Sequence, residues 1–449
     1  MLDMNMNTNT DEDLRNEKEY LKTNLEICFN LISQNKDIFK NKDTFLEEFS
    51  PWHKKKEGGE EILVDQFVTQ VTSDTPEDFS WLNILKEDNQ WKEAKYKEEI
   101  KDKSKYVNMR YQIPTHFHGD IDKAILFHCM ENPRGYLGSY TDNQIDKGLE
   151  CANFKDYYEK TYKLLKEDNK KTIKEIRNYL EGESENKPVK EIIKERYGLE
   201  EIDSDAKLST CITQIIYSEN SNLAQELTHM FNSKEISFDK KYNNKELKEL
   251  GYYYLPEYYK EIVQERPEKG PFIIDISKLQ NNNAEEIAKK ICNLEIYPFS
   301  CSQPALGKDG IGEKILLNSN LSRLGAYIVL RRIYQYAADD NETQIPIFVF
   351  RKYDRAWNKL FNKIFSESEE KSENFKADDF LSKLEENFFY CQPAIAGGGI
   401  TSGNVISVHD FRRVDRKKDK KKYEKMKKEA FYKVKKTLYK SIKAEKKNH

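Results

Sequence analysis

The sequence predicts an α/β fold with a central, mostly parallel sheet and helices on both faces, plus a large helical insertion and a basic C-terminal helix. Three observations predict it. Short strand-like runs recur (AILFHCM from 124, CNLEIY from 292, IPIFVF from 345, ENFFYCQ from 386), and the continuous apolar run IPIFVF marks a strand covered on both faces. The later runs are separated by segments of helical periodicity, the pattern of βαβ units. Each run also ends in a turn rich in Pro, Gly or polar residues, and open parallel sheets bind ligands at the carboxyl ends of their strands.

Taken in order, residues 1–105 read as a mainly helical N-terminal region. Leu21, Leu25, Cys28, Phe29 and Ile32 recur at helical spacing, HKKKEGGEE (53–61) reads as a surface loop, and Trp81 and Trp91 as packing anchors. Residues 106–141 hold the first core strand. Residues 142–268, dense in Lys and Glu, read as a helical insertion broken near Gly182–Pro188 and near Asn243. Residues 269–411 resume the core. PFIIDI reads as a strand, NNNAEEIAKKI as a helix capped by Asn, and CNLEIYPFS as a strand with a Pro turn. The helix SNLSRLGAYIVLRRIYQYAA opens at Ser319 and is followed by the strand IPIFVF, the helix DRAWNKLFNKIF and the strand ENFFYCQPA. Residues 412–449 form the basic helix.

Composition narrows the function classes. The chain has 449 residues, 34% of them charged and 37% hydrophobic, but 27 Tyr and 23 Phe supply enough bulk for a folded core. The N-terminal stretch has no apolar signal core, and no segment approaches the ~18 apolar residues of a membrane span. A cytoplasmic protein without membrane contact is expected. The seven Cys are dispersed, with no CxxC pair, and read as reduced thiols. His116 and His118 in THFHGD have no evident third ligand and read as loop hydrogen-bonders, so neither a metal nor another cofactor is expected. Net charge is −3, yet residues 412–447 carry 18 Lys and Arg against five acids, a balance of +13 that leaves −16 on the rest. Such a tail is a separate electrostatic element. Its apolar positions Tyr423, Met426, Phe431, Val434, Leu438 and Ile442 recur at helical intervals, so one stripe can dock while the Lys-rich face meets a nucleic-acid backbone or simply solvent.

Three strand-end turns are the candidate site. In ENPRGY, Pro133 would hold Asn132 rigidly and Gly135 permits close backbone approach; Glu131 beside it is a candidate general base, although Asn-Pro also makes ordinary turns. In YPFSCSQP, Tyr297 and Phe299 offer flat faces for a base or for core packing. In CQPAIAGGGI, Gln392 can donate and accept at once. Gly397, Gly398 and Gly399 leave backbone N–H groups for phosphate, and Ile395 could wedge into a base stack. Arg351, just past IPIFVF, would reach the same edge and pair a phosphate.

These turns, in this order, resemble those of the uracil-DNA glycosylase-like superfamily. Met130-Glu131-Asn132-Pro133 is similar to the end of that family's first motif, with Tyr136 placed where some branches carry Phe. Asn293 to Phe299 resembles its second strand and turn. Gln392-Pro393-Ala394 stands where the family usually has His-Pro-Ser before an intercalation loop. The resemblance covers about a third of the chain. It implies that a flipped, damaged or modified base loses its N-glycosidic bond, with Asn132 or Glu131 placing the water. Tyr136 would shape the pocket, Tyr297 or Phe299 would stack the base, and Gln392 would hydrogen-bond its leaving edge. It implies DNA rather than RNA as partner, in repair. Gln in place of His, and the long insertion, depart from the family. They support the alternatives of a non-catalytic nucleic-acid or modified-nucleotide sensor in bacterial antiviral defence, and of a scaffold that binds protein through residues 142–268.

Overall fold

A computed structural model of the chain describes residues 11–35, 38–53, 115–131, 216–267, 269–298, 311–393 and 398–448. Four parallel strands form its centre: β2 (Leu126–Met130), β6 (Ile291–Glu295), β7 (Ile347–Arg351) and β8 (Phe389–Gln392). They lie in the order β6-β2-β7-β8. Counted along the chain this is 2-1-3-4, so the order reverses at β2. Two-residue strands extend the edges. β1 (Phe117–His118) runs antiparallel to β6, β3 (Tyr217–Ser218) pairs with β1, and β9 (Ile406–Ser407) runs antiparallel to β8. The expected strand PFIIDI contributes β5 (Ile274–Asp275), which pairs with β4 (Lys241–Tyr242) in a separate ribbon outside the main sheet.

Side chains alternate between two apolar layers, as the two-residue period of a strand requires. Phe127, Cys129, Cys292, Leu294, Phe348, Phe350, Phe389 and Cys391 enter the first layer. The helices Asp11–Ile32, Asn320–Ala338, Trp357–Glu369 and Ala377–Asn387 cover that layer. Ser319 opens the 320–338 helix by accepting a bond from the Ser322 amide. Ahead of the helix Ala284–Lys289 the expected Asn cap is not formed. Asn283 adopts a left-handed backbone (φ 55°) and makes no side-chain cap bond, a conformation Asn tolerates better than most residues.

The second layer receives Leu126, Met130, Ile291, Ile347, Val349 and Tyr390. Residues 216–267, read above as insertion, form part of it. Leu223, Leu227 and Met230 of the helix Asn222–Asn232, with Tyr259, Ile262 and Val263, pack on the sheet. An apolar stripe at helical spacing needs a partner surface, and here the strands provide it. Residues 142–215, the rest of that region, lie outside the described residues. The helix Lys420–Asn448 closes the same layer with Ala430, Phe431, Val434, Leu438 and Ile442. Lys435 Nζ and Tyr439 Oη donate to the carbonyls of Glu261 and Ile262 at 2.8 and 3.1 Å. Among the described residues no helix is long and apolar enough to cross a membrane.

Candidate functional site at the sheet edge

Polar residues interrupt the second layer at the carboxyl ends of the central strands. Register fixes their rows. His128 pairs with Asn293 on one side and with Val349 on the other. One step nearer the edge, Met130 pairs with Glu295, and Arg351 with Gln392. Cys129 pairs with Phe350, which brings Met130 level with Arg351. Glu295, Met130, Arg351 and Gln392 therefore form one row across four strands, with His128 and Asn293 behind it. The strand reversal at β2 lies in the middle of this row, where such sheets offer a crevice.

The inner row is a directed chain of hydrogen bonds. Asn293 Nδ2 donates to Tyr259 Oη at 2.6 Å, and Tyr259 Oη donates to His128 Nδ1 at 3.1 Å. His128 Nε2 meets Gln392 Oε1 at 3.3 Å, and Gln392 Nε2 donates to the Gly398 carbonyl at 2.6 Å. The last bond sets the rest. Only the amide nitrogen can face a carbonyl, so Oε1 must turn to His128, whose Nε2 carries the proton. Burial, and secondarily the charge of Arg351, lower His128 to about 3. The imidazole is neutral and serves to position its neighbours.

Glu295 differs from these bonded groups. It is buried, and its Oε2 has no hydrogen-bond partner among the described residues. Burial raises its carboxyl to about 8, with Arg351 opposing the shift and Glu131 adding to it. Glu131, at the end of β2, is engaged by the ammonium of Lys352. That lysine follows Arg351 with a left-handed backbone, φ 49°.

Two loops overlie the edge. Leu255–Tyr259 is a π-helical turn, a form frequent at functional sites. Glu226 holds its start by accepting the amides of Tyr253, Tyr254 and Leu255 at 2.5–2.7 Å. Burial raises Glu226 to about 7 in spite of these bonds. The turn gathers tyrosines, with Tyr258 edge-on to His128 at 5.3 Å and to Tyr253 at 5.5 Å. The second loop begins at Gly398. A Cβ there would meet the Arg351 guanidinium at 2.8 Å, and a Cβ on Gly399 would meet the Glu257 carbonyl at 2.6 Å. Ile400 N then bonds Tyr258 O at 2.9 Å. These two glycines serve close packing of the loop between Arg351 and the tyrosine turn; neither is a free phosphate cradle.

Of the residues singled out from sequence, Glu131, Arg351, Gln392, Gly398 and Gly399 meet at this edge. Gln392 bonds within the protein at both ends, leaving one N–H and one lone pair of its amide for a ligand. Tyr297 does not join them. It is fully buried in the first apolar layer, on the other face, and packs as core instead of offering a ring for stacking. Asn132, Tyr136, Phe299, Ile395 and Gly397 lie outside the described residues. Sequence reasoning missed Glu295, His128, Asn293 and the tyrosine turn. Their signals were polar residues at alternate positions of apolar strands and the run YYYLPEYY.

The two histidines first considered for metal are hydrogen-bonded instead. His116 accepts from Trp52 Nε1 at 3.0 Å and donates to Leu321 O at 3.1 Å, and His118 Nδ1 bonds Asn222 Oδ1 at 2.5 Å. Burial lowers His116 to about 3. Among the described residues no cluster of three metal-ligating side chains occurs. A shallow cleft of about 640 Å³ beside Asn30–Asn35 and Glu48 is lined by the end of the first helix and carries none of these groups.

No family model matches the chain, and it matches no curated protein and no solved structure.

Proposed function

We propose that this sheet edge recognises a nucleobase presented by a nucleic acid, DNA rather than RNA, with hydrolysis of the N-glycosidic bond as its reaction. The observation that carries the reading is the row Glu295–Met130–Arg351–Gln392. It brings a buried carboxyl whose Oε2 has no hydrogen-bond partner among the described residues, a guanidinium and an amide to one face at the strand reversal. Hydrogen-bonding groups in apolar surroundings beside the tyrosine turn suit a flat heterocycle turned out of its stack. The exposed lysines of the 420–448 helix, among them Lys421, Lys425, Lys428, Lys436 and Lys440, supply charge for the phosphate backbone.

In the reaction, a water oxygen bonds to the anomeric carbon as the C–N bond breaks. The electron pair leaves with the base, and the water's proton passes to a protein acceptor or to the departing base. Asn132 or Glu131 would hold the water. Single-turnover base release from oligonucleotides bearing damaged or modified bases tests this. Asn132→Ala and Glu131→Gln should each cut release at least ~100-fold at nearly unchanged DNA affinity.

A second reading, recognition without cleavage, rests on a specific observation. Glu131 is held by Lys352, and Gln392 is tied to His128 and Gly398. Neither described candidate for the chemistry stands free, which suits a sensor of modified nucleotides. Tight binding with no base release from any substrate would favour it. Binding of a protein partner that survives nuclease treatment would favour the scaffold role.

A further inference from the structure

Glu295 and Arg351 lie in the same row on the same face, two strands apart with Met130 between them. Two strand spacings put their backbones about 9–10 Å apart. No ion pair joins the two, and Arg351 has no ion-pair partner within 4 Å among the described residues. A buried carboxyl oxygen without a hydrogen-bond partner is unfavourable, and an N–H donor would satisfy it. Gly398 keeps the guanidinium in place from above, because any side chain there would displace it.

A ligand that completes this row needs N–H donors on the Glu295 side and acceptors on the Arg351 side. Guanine presents a ring N–H and an amino group together on one edge, and its O6 and N7 on the adjoining edge. Arginine held bidentately by O6 and N7 is the commonest specific contact made to a base. Adenine places an amino donor beside N7, which opposes the guanidinium. A single-ring base reaches one end of the row and leaves the other unmet. Building on the base-recognition reading above, we infer that a guanine-type base seats over Met130 between Glu295 and Arg351, its paired N–H groups on the Glu295 carboxyl and its O6 and N7 on Arg351.

Binding near neutrality then releases a proton. Burial holds the Glu295 carboxyl protonated up to about 8, and two donors beside Arg351 favour its ionised form. The other ionisable groups that sense Glu295 are Glu131, Cys129, Tyr254, Tyr258 and Tyr259. Burial raises that cysteine and those three tyrosines well above their usual values, so they do not titrate in this range.

The test is calorimetric titration of the full chain at pH 7 with guanosine, adenosine and uridine monophosphates. Short single-stranded oligonucleotides differing only in one central base form the second arm, and two buffers of different ionisation enthalpy count the protons. Guanosine monophosphate should bind at least ~10-fold more tightly than the others, releasing about one proton. Glu295→Gln should cost ~5- to 150-fold in that affinity, and Arg351→Met should remove the preference for guanine. Arg351 is only partly buried, so its variant answers the question even where Glu295→Gln folds poorly. Oligonucleotides bound without regard to the central base would overturn the inference and leave the broader reading standing. Guanosine monophosphate bound with no oligonucleotide affinity would keep the inference and remove the nucleic-acid reading. Binding of neither would overturn both.

Discussion

Gln392 on β8 bonds His128 on β2 through its carbonyl at 3.3 Å while its amide nitrogen holds the Gly398 carbonyl at 2.6 Å. One side chain thus spans the strand β7 between them and pins the loop that covers Arg351. Gln392→Ala leaves the His128 N–H and the Gly398 carbonyl without their partners, at about 1–3 kcal/mol for each group that water does not reach. Urea denaturation should show that loss. The Ile400 amide, which bonds Tyr258 O, should exchange with solvent faster.

The two glycines of that loop are predicted to fail differently. In Gly398→Ala the new methyl meets the tip of a flexible arginine, so stability should fall by less than ~1 kcal/mol while nucleotide affinity drops with the displaced guanidinium. In Gly399→Ala the methyl meets the Glu257 backbone carbonyl, which cannot turn away, and about 1–3 kcal/mol of stability should go. Equal stability losses in the two variants would contradict this division.

Stability should also carry a signature of Glu295. Its folded carboxyl is raised from 4.5 to about 8, so between those values the native state keeps a proton that the unfolded chain has released. Stability therefore falls as pH rises through this window, by up to ~1.4 kcal/mol per pH unit, and levels off above about 8. Glu226, raised to about 7, contributes the same sign, and His53, His116 and His128, lowered to about 4, 3 and 3, contribute the opposite sign near neutrality. The difference between the native chain and Glu295→Gln isolates Glu295: from pH 7 to 8 the native midpoints should fall relative to those of the variant.

The four central strands were legible because strands buried on both faces cannot hide. Phe127, Cys129, Phe348 and Phe350 on one side, and Leu126 and Val349 on the other, leave continuous apolar runs. Arg351 and Gln392 were legible as candidates because both stand at strand ends. Glu295 was not, since it stands inside an apolar strand, and its two-residue offset from Asn293 gains meaning once the register puts both on the His128 face. Tyr297 misled for a related reason. An aromatic beside a Pro turn looks the same in sequence whether it faces a ligand or the core, and only the layer it enters separates the two. The tyrosine turn stayed hidden because its partners are remote in sequence, Glu226 capping it and Gly399 packing on it.

The basic helix packs one face on the sheet and leaves lysines exposed on the other. Deleting it would strip Phe431, Val434 and Leu438 from the second layer, so truncation is expected to destabilise the fold and cannot isolate the charge. Substituting exposed lysines can. Lys425, Lys428 and Lys436 changed together to Gln should leave thermal stability nearly unchanged. The slope of log affinity for DNA against log salt should flatten by about one for each phosphate that a lysine no longer neutralises. An unchanged slope would mean that this face only solubilises the protein.

On the proposed function, the carboxyl edge of the sheet, and not the basic helix alone, takes hold of a base. Hydrogen–deuterium exchange with and without a saturating short oligonucleotide tests it most directly, because it reports each backbone amide separately. The amides of Tyr253, Tyr254, Leu255 and Ile400 should gain protection on binding, through the turn held by Glu226 and the loop held by Gln392, and that gain should vanish in Arg351→Met. Protection confined to residues 420–443, with those four amides unchanged, would contradict the account.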